Sequence, residues 1–106
     1  MSRSLRELIP LVAEVSDTYA SRNDIARDDD WYLLKLQEEL GELTAEFLRS
    51  TGRGRLKGAT TGQLRQAMED EAADVLAMRL LFARHNQIDL DAALERKWFQ
   101  YLGRSA

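Results

Sequence analysis

Leu5, Leu8, Ile9, Val12 and Val15 recur at helical spacing behind Ser4-Leu5-Arg6-Glu7, which has the form of a capping box, and predict a first helix up to about Arg22. Pro10 is expected to kink that helix or to mark its start. A second helix is predicted from about Trp31 to Arg49: Leu33, Leu36, Leu40, Leu43 and Phe47 share a stripe, Asp28, Asp29 and Asp30 offer alternative N-caps, and Gly52 closes it. Thr60-Thr61-Gly62-Gln63 forms another capping box before a third helix running to about Arg84, with Asn86 as a left-handed C-cap residue. Asp89 then caps a fourth helix that ends at Gly103. Gly52, Gly54, Gly58 and Gly62 mark one principal loop, and no segment alternates as a strand does. The expectation is an all-α chain, a four-helix bundle forming one domain over residues 1–106.

Composition narrows what such a bundle can do. Fifteen Lys and Arg against eighteen Asp and Glu leave a formal charge of −3, so no broad basic surface is expected for duplex nucleic acid. No apolar stretch is long enough to span a membrane, and Met1-Ser2-Arg3-Ser4 leads into mixed polar sequence with no signal-peptide core, so the cytoplasm is expected. With no cysteine and one histidine, thiolate sites, disulfides and paired-imidazole sites are excluded, and any chemistry must use carboxylates. His85 reads as a helix-end cap.

The carboxylates are not scattered. On an ideal helix Glu39, Glu42 and Glu46 fall within roughly 60° of one another beside the Leu36, Leu43 and Phe47 stripe, either as a solvated acidic face or as one wall of a site. On the third helix Asp74 shares the angular position of Ala67, Met78 and Leu81, and Glu71 lies between Met78 and the Leu64 and Phe82 direction, so both occupy core positions. Buried carboxylates one turn apart repel each other and lose hydration, which requires a compensating cation. Lys35 and Lys97 are too few to balance four or five converging carboxylates, whereas hard divalent ions, Mg²⁺ or Mn²⁺, match an all-oxygen donor set. Antiparallel packing of the two helices is expected to bring the Glu39/Glu42 and Glu71/Asp74 pairs face to face.

Lys35-Leu36-Gln37-Glu38-Glu39-Leu40-Gly41-Glu42-Leu43, followed by Glu71-Ala72-Ala73-Asp74, resembles the ExxE and ExxD signature of the MazG-like all-α nucleoside triphosphate pyrophosphohydrolases. The resemblance covers roughly residues 25 to 104. It implies that Glu39, Glu42, Glu71 and Asp74 hold Mg²⁺, that a nucleoside triphosphate yields a monophosphate and pyrophosphate, and that Glu38 orders or deprotonates the attacking water, the alternative being a plain surface glutamate. It also implies phosphate contacts from Lys97 and Arg104 on the last helix, although the intermediate position carries Tyr101. Dimers or dimers of dimers, and a role in clearing surplus or non-canonical nucleotides, follow from the same resemblance. A phosphoribosyl-ATP pyrophosphohydrolase and a non-catalytic helical module with a structural metal site are the alternatives.

Other side chains are read on their own terms. Lys35 either meets a substrate phosphate or pairs with Glu39 within the helix. Trp31, with Tyr32, either stacks on a nucleobase or packs in the core, and Trp98 and Tyr101 pose the same choice. Arg53, Arg55 and Lys57 read as a solvated basic loop, because their spacing matches no phosphate-binding motif. Leu76, Leu80 and Ala83 on the third helix, and Leu34 and Leu48 on the second, form outer apolar strips that predict burial against a second copy.

Overall fold

The computed structural model describes residues 3–103. Four α-helices, α1 (Leu5–Arg22), α2 (Trp31–Ser50), α3 (Thr61–His85) and α4 (Leu90–Lys97), are followed by a single 3-10 turn over Phe99–Tyr101. Among the described residues there is no strand, so the chain is all-helical as its patterning requires. No described helix is long and apolar enough to cross a membrane.

The helix starts follow from local chemistry. The Ser4 hydroxyl accepts from the Glu7 backbone N–H while the Glu7 carboxylate accepts from the Ser4 N–H, and Thr60 and Gln63 repeat the exchange at α3. Asp89 accepts from the Ala92 N–H to open α4. At α2 the side chain that caps is Asp28, which takes the Trp31 N–H at 2.9 Å, while Asp30 at the boundary makes no side-chain cap bond. Pro10 lies inside α1 instead of at its start. The helix has already been nucleated at Ser4, and the missing N–H of the proline forgoes one backbone bond.

Three helices end in the same way. Asp24, Gly52 and Gln87 take left-handed φ values of 52°, 81° and 57°, and the residue after each donates its N–H back to Ala20, Leu48 and Ala83 respectively. The left-handed position after α3 is therefore Gln87 and not Asn86, whose side-chain amide instead donates to the Phe82 carbonyl. The fourth helix stops at Lys97, short of the expected Gly103. Trp98 holds its N–H on Leu94 and the next bonds tighten to three-residue spacing.

The chain divides into two compact units. One comprises the residues up to Ile25 together with those from Leu80 onward; Ala13, Ala20, Leu80, Leu81 and Ala83 are its buried apolar residues. Arg6 pairs with Asp89 at 2.8 Å and Asp91 at 3.4 Å, and Arg84 approaches Asp17 at 3.8 Å. The other unit, Ala26–Arg79, contains α2 and the greater part of α3, with Tyr32 and Met78 buried. Its covered face on α2 runs Tyr32, Leu36, Glu39, Leu43, Glu46, and on α3 Leu64, Ala67, Glu71, Val75, Met78. Each row is an apolar heptad interrupted by glutamate.

This register corrects the expected outer strips. Leu80, at 1% exposure, and Ala83 are buried within the chain and cannot serve a second copy. Leu48 is half-buried, whereas Leu34 and Leu76 are exposed. The exposed stripe on α2 is Leu33, Leu40 and Phe47, three residues expected to face inward, because the helix turns Glu39 inward in their place.

Candidate metal centre

Among the described residues Glu39 is the buried charged one, at 9% exposure. It leaves α2 toward α3, where it meets Glu71 and Asp74, the three offering carboxylate oxygens that all lie within 4.8 Å of one another. Glu38, Glu39 and Glu42 form a second such triplet along α2. Glu39 thus belongs to both groups, and the four motif carboxylates with Glu38 make a continuous acidic cluster within Ala26–Arg79.

Buried oxygens in the cluster lack partners. Glu39 Oε2 and Glu71 Oε2 are each shielded from solvent and accept no hydrogen bond. Such atoms incur the desolvation penalty with no return bond unless a cation or proton reaches them. Burial, then the neighbouring Glu42 carboxylate and then Asp74 push the Glu39 carboxyl up to about 7, the Lys35 ammonium opposing only in part. Burial, then the charges of Glu42 and Asp74, likewise raise Glu71. Carboxylates so placed hold protons or share a cation, and this cluster could bind a metal ion. Glu39, Glu71, Asp74 and Glu42 are the residues that could hold it.

Not every placement matches its expectation. Asp74, read as a core position, is exposed, as is Glu42. Glu71 holds the covered register on α3, so the carboxylate one turn on falls at the rim, where an ionised group keeps its hydration.

Lys35 is committed to the cluster: its ammonium lies 3.2 Å from Glu38 Oε1 and 3.9 Å from Glu39 Oε1, and the Glu38 bond raises its pKa. Trp31, Lys35 and Glu38 line one cavity of about 350 Å³ with Ala26, Asp28, Asp30 and Leu34. Trp31 also meets Tyr32 edge to face at 5.1 Å, and Tyr32 is the buried member of the pair. Lys97 is the exposed last residue of α4 and belongs to the other unit, as do exposed Trp98 and Tyr101. Arg104 lies outside the described residues.

One residue that the sequence did not single out organises the α2–α3 loop. Arg49 chelates both Glu46 oxygens at 3.0 and 2.8 Å through Nη1, and donates to the Arg55 carbonyl at 2.7 Å and the Leu56 carbonyl at 3.1 Å. The Glu46–Arg49 spacing was the available signal, since i, i+3 pairs of opposite charge share a helix face.

Comparisons of this chain with protein-family models, with curated proteins and with solved structures return no match.

Proposed function

We propose that this chain is a Mg²⁺-dependent nucleotide pyrophosphohydrolase that converts a (deoxy)nucleoside triphosphate and water to the monophosphate and pyrophosphate, serving nucleotide-pool housecleaning in the cytoplasm. The observation that supports it most is the pair of orphaned oxygens, Glu39 Oε2 and Glu71 Oε2, in a cluster whose motif spacing resembles that of the MazG-like enzymes. Mg²⁺, or Mn²⁺ in its place, supplies charge neutralisation at the polyphosphate and acidifies water.

In this reading Glu39, Glu42, Glu71 and Asp74 would be the ligands, and Glu39, whose carboxyl is pushed up to about 7, would give up any proton it holds on binding the ion. Glu38 is exposed at the edge of the cluster, where its carboxylate takes the proton of the attacking water. Lys35, bonded to Glu38, keeps that carboxylate oriented and contacts a phosphate oxygen. Trp31, on the same cavity wall, stacks on the base. The assembly is a homodimer or a dimer of dimers, its interface the exposed Leu33, Leu40 and Phe47 stripe.

A panel of nucleotides incubated with Mg²⁺ in isotopically labelled water tests the proposal. Pyrophosphate should accumulate, and the label should enter the monophosphate. Label recovered in pyrophosphate rejects attack at the α-phosphorus, and a panel yielding no pyrophosphate leaves a helical interaction module with a structural ion.

A further inference from the structure

The loop between α2 and α3 folds back over the end of α2 and borders an open pocket of about 400 Å³, whose lining includes Glu46, Arg49, Arg53, Gly54, Arg55 and Lys57. Four cationic side chains face a single carboxylate there, and that carboxylate is already chelated by Arg49. Arg49 is spent on the loop itself, through Glu46 and the carbonyls of Arg55 and Leu56. Gly54 crosses so close to it that a Cβ would stand 2.7 Å from Arg49 Cγ and 3.2 Å from Arg49 Cα. The loop is thereby fixed against α2 as a wall.

The remaining cations have no such engagement. Arg53 is steadied by one bond from Nε to the Thr51 hydroxyl at 2.9 Å and by its position 5.8 Å from the Phe47 ring centroid. Among the described residues no carboxylate pairs with Arg53, Arg55 or Lys57. Three like charges around one space, in a chain of net charge −3, repel one another until an anion joins them. Two guanidiniums and an ammonium offer many N–H donors from several directions, which suits a tetrahedral, multiply charged anion better than a planar carboxylate.

We propose that this loop pocket is a binding site for a phosphate anion, with Arg53, Arg55 and Lys57 contacting it and Arg49 as the positioning residue that holds the loop. Two sources could supply that anion, a nucleotide's polyphosphate tail or a separate phosphate compound. Glu42 of the carboxylate cluster and Arg49 are seven positions apart on α2, about 10 Å along the axis at ~1.5 Å per residue. The site requires no hydrolysis, and it stands whatever reaction the carboxylates support.

Calorimetric titration with inorganic pyrophosphate, in the presence of a chelator so that no divalent ion takes part, isolates the site. The wild-type protein should bind, more weakly as salt is added, and Glu71→Gln should bind equally well. The double variant Arg55→Gln/Lys57→Gln, altered only at exposed positions, should bind roughly tenfold more weakly or worse. Arg55→Lys, which keeps the charge, should recover most of the affinity lost at that position. Wild-type protein that fails to bind, or a double variant that binds as tightly as wild type, overturns the proposal. Excess nucleoside triphosphate that displaces the pyrophosphate identifies a substrate tail, and pyrophosphate that stays bound identifies a separate anion; either supports the site.

Discussion

Lys35 brings its ammonium within 3.9 Å of the Glu39 carboxylate, and that attraction is outweighed by burial and by the Glu42 and Asp74 charges. A carboxyl raised from 4.5 to about 7 holds a proton in the folded chain that the unfolded chain has released across that interval. Metal-free stability therefore falls as pH rises from about 4.5 to about 7 and levels off above it. The loss is on the order of 3 kcal/mol at most, at 1.36 kcal/mol per pH unit. Urea midpoints measured across this range should show the decline, and Mg²⁺ should flatten it. A metal-free midpoint that rises with pH is incompatible with this environment for Glu39.

Glu71→Gln and Asp74→Asn should each abolish Mg²⁺-dependent pyrophosphate release while leaving the chain folded. Asp74 raises both Glu39 and Glu71 through its charge, so removing that charge relieves repulsion in the metal-free protein. Thermal melts without metal should rise for Asp74→Asn. Turnover at saturating Mg²⁺ equal to that of wild type in either variant would exclude these two residues as ligands.

Trp31→Leu should raise KM severalfold and weaken the discrimination among bases, because a stacking face is lost from the cavity it shares with Lys35 and Glu38. Nucleotide binding should quench Trp31 emission. Unchanged KM and selectivity would make Trp31 a packing partner of Tyr32 alone.

Leu33, Leu40 and Phe47 stand 45%, 51% and 48% exposed at seven-residue spacing on α2. Light scattering at micromolar concentration should give at least twice the chain mass of 12.1 kDa, and Leu40→Lys should shift the population toward monomer. A stable 12.1 kDa species for the wild type would reject the interface.

Helix positions were legible because their ends are local: Ser4 with Glu7, Thr60 with Gln63, and Asp89 are capping signals that operate within a few residues. Rotation about each helix axis was not. The periodicity of α2 admits an inward face centred on Leu40 or on Glu39, and apolarity alone favours the leucine. Burying glutamates reverses that choice, and with it the exposure of Leu33 and Phe47. The carboxylate pairing of Glu39 with Glu71 and Asp74 could be anticipated from their spacing, whereas the loop pocket could not. Arg53, Arg55 and Lys57 look like any solvated run until Arg49 folds the intervening carbonyls onto α2.

The repeated helix ending has a consequence for engineering. Of the three left-handed terminators only Gly52 is glycine; Asp24 and Gln87 adopt that geometry against the steric preference of an L-residue. Both turns are exposed and lie in the unit that does not carry the acidic cluster. Asp24→Gly and Gln87→Gly relieve roughly 1 kcal/mol each, less the added freedom of the unfolded chain. A hardened version of this protein can begin from those turns, with the acidic cluster's own residues untouched.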